Sequence, residues 1–410
     1  MPNFRICLAF SDTGGGHRSA VEAIEAGINE IALHEPRGNQ FDLVLDNVCE
    51  KSHPVNRAFV DAYNYILRHD QKAMKYYYWL IETLKPNDSE IGYRISAPYL
   101  KKLYTRVDPH VVVSVHPMAN QYTERALQDA GLRDKVKFVC VVTDPNGNFW
   151  KGWACPQADL TIVPNELARD QLIAWGVPHD RIRTLGMPVH PDFVKPPTVS
   201  RDEFRSHLGL RPDRLTICIN AGWAGGGNMS LIYKALSQVS RPIQAVFLCG
   251  HNRELYERAR ELAAHGTVPT AVLPFHDRMS DLMAAMDMMV TKAGGLTTFE
   301  AIARRLPIVF DTITKPMPQE AGTVEMLVKQ GVAQAVQEPD DIVDIVENFT
   351  PAFDRTVIKL PNANQLDRAG AIFDICRAIM SYCDPLYQPI VEQHPNIEHM
   401  PKPKRDAKRA

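Results

Sequence analysis

Short apolar runs with almost no polar interruption alternate with helix-patterned stretches along most of this chain, and that alternation leaves few folds open. FRICLAF (4–10) precedes an amphipathic stretch from about Ser19 to Leu33. FDLVLD (41–46), VVVSV (111–115), FVCVVTD (138–144), LTIVP (160–164) and IRTLG (182–186) continue the series. Continuous apolar runs of this length suit strands buried on both faces of a parallel sheet, and their alternation with helices makes the class α/β. The pattern breaks at MPVHPDFVKPP (187–197), where four prolines fall within eleven residues. Proline fixes φ and lacks an N–H, so this stretch reads as an interdomain linker. A second series follows: LTICIN (215–220), IQAVFLCG (243–250), AVLPF (271–275), MMVTK (288–292) and PIVFD (307–311). Two doubly wound domains facing a cleft are therefore expected, with ligands beyond the carboxyl ends of the strands.

Charge narrows the partners. Among 410 residues, 46 basic and 48 acidic side chains give a net charge of −2. No global basic field exists to attract nucleic acid, so any anionic partner must be held by a local patch. The apolar runs stop far short of the ~20 residues that span a bilayer. MPNFRICLAF at the start has no cleavable signal pattern and reads as the first strand. A soluble, cytosolic protein is the expectation. Cys7, Cys140, Cys218 and Cys249 lie within strand-like runs, and none of the eight cysteines forms a C-x-x-C pair. Buried free thiols are expected, and no His/Cys spacing suggests a structural metal.

Segment 56–104 does not fit the alternation. It is helical in pattern and carries Phe59, Tyr63, Tyr65, Tyr76, Tyr77, Tyr78, Trp79, Tyr93, Tyr99 and Tyr104 among Arg57, Arg68, Lys72, Lys75, Lys85, Arg94, Lys101 and Lys102. One reading is an inserted helical subdomain packed on the sheet. The other is a membrane-surface face, with Tyr76, Tyr77, Tyr78 and Trp79 at headgroup level and basic residues toward anionic lipid. The ending, PKPKRDAKRA (401–410), is polar and basic and is expected to be disordered.

Three glycine loops carry the chemistry. SDTGGGHRSA (11–20) joins the first strand to the first helix. Gly15 and Gly16 let the backbone approach a ligand, and the helix N-terminus adds exposed N–H groups and the positive end of its dipole. His17 stands at the loop's end, where an imidazole can move a proton near neutral pH. AGWAGGGNMS (221–230), with Gly222 and Gly225, repeats the arrangement in the second half. TKAGGLTTFEA (291–301) is the third, with Glu300 one turn into its helix. That acid either complements the helix dipole or accepts both hydroxyls of a ribose. Neither G-x-x-x-x-G-K-S/T nor G-x-G-x-x-G is matched. Together, three such loops at strand ends ask for a nucleotide diphosphate.

TGGGHRSA, VSVHP (113–117), VVTD (141–144), GMPVHPDF (186–193), CGHN (249–252), TKAGGLTTFEA and PQEAG (318–322) occur in an order that resembles the monogalactosyldiacylglycerol synthases. They also resemble the processive diacylglycerol glucosyltransferases and, more distantly, the peptidoglycan lipid-linked N-acetylglucosamine transferase. The resemblance covers roughly residues 4–335. It implies the GT-B fold: an acceptor domain over 1–190 and a UDP-sugar domain over 198–360. A helix within 361–385, at about 366–382, would cross back to the first domain, and a flexible tail would occupy 386–410. By position, it assigns Phe275 and the Arg278–Leu282 segment, including Met279, to the uracil. Gly294, Gly295, Leu296 and Thr297 meet the diphosphate, Glu300 the ribose, and Gln319 and Glu320 the sugar hydroxyls. His17 lies close to the transferred sugar. His190 stands where the family has arginine, which weakens one diphosphate contact. PNGNFWKGW (145–153), with Trp150, replaces a histidine-rich stretch on the acceptor side, and Gly295-Leu296 replaces Pro-Gly.

The reaction so implied moves a hexose, galactose in preference to glucose, from UDP to the hydroxyl of diacylglycerol with inversion. His17 is the expected base and Asp144 the reserve. Helix N-termini and loop N–H groups would stabilise the departing UDP without a metal or other cofactor. Diacylglycerol places the enzyme on the inner face of a membrane. Anionic lipid would attract it through the basic residues of 57–102 and through Lys402, Lys404, Arg405, Lys408 and Arg409. Three alternatives stand: a UDP-N-acetylglucosamine-dependent transferase acting on another lipid, a UDP-N-acetylglucosamine 2-epimerase of the same fold, and a UDP-sugar sensor without turnover. The aromatic-basic segment counts against the epimerase.

Overall fold

The computed structural model describes residues 3–34, 38–69, 73, 76, 81, 83, 86–146, 149–350 and 370–387. Its apolar runs form two six-stranded sheets. The first holds β1 (Asn3–Ala9), β2 (Gln40–Asp46), β3 (Val111–Ser114), β4 (Lys137–Val141), β5 (Leu160–Val163) and β6 (Ile182–Thr184) in the order β2-β1-β3-β4-β5-β6. The second holds β7 (Leu215–Asn220), β8 (Ile243–Leu248), β9 (Thr270–Leu273), β10 (Met288–Thr291), β11 (Ile308–Asp311) and β12 (Ala333–Val336) in the order β12-β11-β10-β7-β8-β9. Every pairing is parallel. Central strands such as β3 and β7 are buried along their whole length, which is why their sequences show no alternation. β12 was not foreseen: as an edge strand it leaves Gln334 exposed, and AQAV is too short and polar to stand out.

Strand order reverses between β1 and β3 in the first sheet and between β7 and β10 in the second. Crevices at such switch points are where doubly wound sheets bind ligands. The glycine loops follow β1, β7 and β10, so topology brings all three to the crevices.

Helix α1 (Gly16–Leu33) buries Ala20, Val21, Ala23, Ile24, Gly27 and Ile28. Part of that face packs on a helix from beyond the second sheet, Ala371–Met380, whose Ile372, Ile375, Cys376 and Ile379 are buried. Gly27 is the crossing point: a Cβ there would lie 2.7 Å from Cys376 Sγ and 3.1 Å from Ile372 Cγ1. Gly27→Val should therefore overpack the contact and cost about 1–3 kcal/mol, read as a lower melting temperature. Expected features near residue 360 and in the basic tail 401–410 lie outside the described residues.

Segment 56–104 divides by burial. Helix α2 (Pro54–His69) exposes Val55 and Phe59 at 47% and 46% and Tyr65 at 65%; Tyr76 beyond it is 66% exposed. Helix α3 (Glu90–Val107) is instead core, with Tyr93, Leu100, Leu103 and Tyr104 buried. The Tyr93 and Tyr99 hydroxyls donate to Asp129 and Asp46, and Arg94 is paired with Glu90. Tyr77, Tyr78 and Trp79 lie outside the described residues. Among the described residues no helix is long and apolar enough to cross a membrane. All eight cysteines are free thiols, and burial pushes Cys7, Cys218 and Cys249 up to about 12.

Candidate functional site

A cleft of about 570 Å³ lies between the two sheets, lined from both domains. On its first wall the chain leaves β1 through Gly14 and Gly15, with φ +69° and +84°, where a side chain would be strained. Other groups pin this loop. Glu50 Oε1 accepts from Asp12 N at 2.6 Å, Arg18 clamps the Asp12 carboxylate with two 2.7 Å bonds, and α2 adds a third anchor through Asn64. The Asn64 side chain accepts from Gly14 N at 3.0 Å and donates to Asp12 O at 2.8 Å. The exposed helix and the glycine loop are thus joined directly.

His17 opens α1. Its Nδ1 lies 2.7 Å from the Val115 carbonyl, which can only accept, so Nδ1 carries the proton and Nε2 the lone pair. His116 packs edge-on against it, with ring centroids 4.3 Å apart. His116 Nδ1 accepts from Met118 N, which leaves its Nε2–H to donate to Thr13 Oγ1 at 2.9 Å. Burial lowers the His17 pKa from 6.5 to about 4, against the pull of the Val115 bond, and burial beside His17 likewise holds His116 well below its usual value. Both rings are neutral at physiological pH. Beyond β4, Asp144 accepts from Trp153 Nε1 at 2.6 Å; burial raises its pKa and this bond opposes the rise.

The second wall begins with Trp223, packed over Gly15 so closely that a Cβ there would meet Trp223 Cγ at 2.6 Å. Trp223 leans on His251 at 5.1 Å, and His251 stacks flat on Phe275 at 4.3 Å and 15°, with Phe275 still 48% exposed. Arg278 is held by Asp281 at 2.6 Å and Thr198. Helix α4 (Gly295–Ala303) starts at the loop Gly294-Gly295, and a Cβ on Gly295 would lie 2.6 Å from Thr143 O of the first domain. Glycine at 295 therefore permits the two walls to touch.

Glu300 projects from α4 at the cleft. Among the described residues its carboxylate has no hydrogen-bond partner, and burial raises its pKa from 4.5 to about 7. Glu320, on α5 (Pro318–Lys329), also lines the cleft, its pKa raised by burial and held back by Lys292. A neutral imidazole, an aromatic platform and, among the described residues, one carboxylate without a hydrogen-bond partner suit a polyhydroxylated, anionic ligand with a base-like head.

Of the residues singled out from sequence, Gly15, Gly16, His17, Asp144, His190, Gly222, Phe275, Arg278, Met279, Gly294, Gly295, Leu296, Thr297, Glu300 and Glu320 line this one cleft. Gly225 does not: it sits in a turn where a Cβ would lie 2.2 Å from Cys249 O, so its role is steric. Trp150 packs over Gly152 outside the cleft, and Tyr76 is likewise not among its lining residues. The Gln319 side chain lies outside the described ones. His190 accepts from Asp192 N and caps the turn Pro191–Phe193, and burial lowers its pKa, so it is a neutral neighbour. Sequence reading missed Trp223, Thr13, His116 and Lys292, although Lys292 stands inside the TKAGG run. Among the described residues no group of three or more His, Cys, Asp or Glu could hold a metal.

Residues 17–189 match the family model for monogalactosyldiacylglycerol (MGDG) synthase, and residues 229–339 match that for the glycosyltransferase family 28 C-terminal domain. A probable chloroplastic monogalactosyldiacylglycerol synthase of Nicotiana tabacum is 28% identical over 384 residues, covering 91% of this chain and 70% of that one. Monogalactosyldiacylglycerol synthase 1 of Arabidopsis thaliana is 28% identical over 380 residues, covering 90% and 69%. Among solved structures, a putative UDP-N-acetylglucosamine 2-epimerase from Listeria monocytogenes superposes with TM-score 0.61 at 15% identity, covering 94% of this chain and 98% of that one. Acinetobacter baumannii MurG gives 0.54 at 14%, covering 92% and 99%. Anabaena HepE in complex with UDP and glucose gives 0.54 at 15%, covering 93% and 99%. The fold is the two-domain arrangement these structures share.

Proposed function

We propose that this chain, a homologue of the monogalactosyldiacylglycerol synthases, is a UDP-sugar-dependent glycosyltransferase that moves a hexose to diacylglycerol. The observation that carries this reading is the pairing across one cleft of His17, its Nδ1–H bonded to Val115 O, and Glu300, a carboxylate without a hydrogen-bond partner among the described residues. The donor is UDP-galactose, its uracil against Phe275, its ribose hydroxyls on Glu300, and its diphosphate at the Gly294-Gly295 loop where α4 begins. Gln319 and Glu320 read the sugar hydroxyls.

The acceptor alcohol attacks the anomeric carbon as the bond from that carbon to the diphosphate oxygen breaks. Its proton passes to His17 Nε2, and the electron pair leaves with UDP. One displacement inverts the centre, giving a β-glycoside from an α-linked donor. Loop N–H groups and the positive end of the α4 dipole meet the charge growing on the diphosphate. Incubation with labelled UDP-galactose, UDP-glucose and UDP-N-acetylglucosamine plus mixed lipids is the direct test. A galactosylated diacylglycerol is expected. Interconversion of UDP-sugars without a glycolipid product would favour the epimerase reading, and UDP-N-acetylglucosamine as sole donor would favour the other transferase.

Diacylglycerol stays in the bilayer, so the enzyme works at the membrane surface, on its cytoplasmic face. Helix α2 supplies the contact: Val55, Phe59 and Tyr65 face out, while Asn64 holds the loop that leads to His17. With net charge −2, attraction comes from local basic residues such as Arg57 and from the tail, each contributing about 1 kcal/mol near an anionic surface. Vesicle co-sedimentation should rise with anionic lipid and fall with added salt. Phe59→Ser with Tyr65→Ser should weaken it strongly, and deletion of 401–410 only partly. Indifference to anionic vesicles at low salt, alongside turnover with a soluble acceptor, would remove the membrane from this account.

A further inference from the structure

The TKAGG run contributes more than glycines. Lys292 directly follows β10 and lines the cleft beside Gly222, Gly294 and Glu320. Its stem runs under the second glycine loop: Cε lies 3.7 Å from where a Cβ on Gly222 would stand, and Cδ 3.5 Å from one on Gly227. Two carboxylates face it, Glu320 and Asp311. Asp311 is already engaged, accepting from Asn228 N at 2.8 Å, Asn228 Nδ2 at 3.0 Å and Ile313 N at 3.2 Å. Among the described residues Lys292 donates no hydrogen bond and has no carboxylate within the 4.0 Å of an ion pair.

A partly buried ammonium without a partner is costly, and a protein gains by keeping one only where something else supplies the counter-charge. Burial lowers the Lys292 pKa, while Glu320 and Asp311 act against the fall. The missing anion must enter the cleft from outside. Under the reading that this cleft takes a UDP-sugar, the anionic part of the guest is its diphosphate. Lys292 sits between the two loops whose backbones approach that group.

We propose that Lys292 binds the donor diphosphate and takes up the charge that grows on it as the sugar departs. The loop N–H groups then share this work with a full positive charge rather than performing it alone. Lys292→Met keeps the stem and removes the charge; Lys292→Arg keeps a charge. Calorimetric titration of wild type and both variants with UDP and with uridine separates the possibilities. Lys292→Met should bind UDP about 10- to 100-fold more weakly, as expected for loss of a charge-assisted contact, with uridine affinity unchanged. Its ligand-free melting temperature should equal or exceed that of wild type, since an unpaired cation has gone, while the rise in melting temperature on adding UDP shrinks. Lys292→Arg should recover part of the UDP affinity. Unchanged UDP affinity in Lys292→Met overturns the proposal. So do parallel losses for UDP and uridine with a lower ligand-free melting temperature, which would make Lys292 a structural support. Failure of the wild type itself to bind UDP would instead overturn the nucleotide reading of the cleft, and this inference with it.

Discussion

His17→Ala is expected to lower turnover about 10²–10⁴-fold while leaving UDP affinity nearly unchanged, because general-base assistance is a transition-state effect. The geometry behind this is the Val115 carbonyl, which accepts a hydrogen bond from Nδ1–H at 2.7 Å and leaves Nε2 to act as base. With a pKa lowered to about 4, the base form persists far into the acid range in the free enzyme. A bound diphosphate brings negative charge into the cleft and raises that pKa again, so the acid limb of kcat should lie at higher pH than the His17 limb of kcat/KM. Single-turnover rates with pre-bound donor measure the first claim, and pH profiles the second. If donor affinity and turnover fall in proportion, His17 props the loop and Asp144 inherits the role of base.

Glu300→Gln carries the other large effect, in two opposite directions. A carboxylate accepting two ribose hydroxyls makes charge-assisted bonds, so at pH 8 the substitution should weaken UDP binding by about 1–3 kcal/mol, roughly 5- to 150-fold. In the wild type, UDP affinity should fall as pH drops through 7, where Glu300 takes up its proton; the variant should lack that limb. The kcat/KM profile of Glu300→Gln then retains only the lower limb belonging to His17. Stability runs the other way. Because burial raises the folded-state pKa from 4.5 to about 7, the folded protein binds the proton more tightly, and stability is lost as pH rises from 4.5 through 7. Glutamine has no charge to desolvate, so the variant should melt higher than wild type at pH 8 and about equally at pH 4. Unchanged UDP affinity at pH 8 would take Glu300 out of the donor site.

Much of the cleft was legible because its requirements are local. A strand followed by glycines and a helix announces a close backbone approach at a strand's carboxyl end, and the chain does this after β1, β7 and β10. Gly225 stands outside the cleft, where its turn packs on the Cys249 carbonyl, and nothing in AGWAGGG separates that glycine from Gly222. Segment 56–104 left two readings open, a packed subdomain and a membrane face, because aromatic content is not directional. Only burial divides Tyr93 and Tyr104, locked in the core, from Phe59 and Tyr65, which face out.

The sequence by itself determined the α/β class, the two series of buried parallel strands and the glycine loops. Parallel strands buried on both faces need uninterrupted apolar runs, and left-handed φ values such as those of Gly14 and Gly15 need glycine; both demands fall on consecutive residues. Tertiary structure decided which loops meet and what charge each side chain bears. The tautomer of His17 depends on a carbonyl 98 residues away, and the elevated pKa of Glu300 on burial at the wall between domains. Among the described residues Lys292 has no hydrogen-bond or ion-pair partner, while Asp311 at the end of β11, one of the two carboxylates facing it, is engaged by Asn228. Desolvation and pairing are properties of surroundings assembled from distant parts of the chain, so a local pattern can name the residue but not its state.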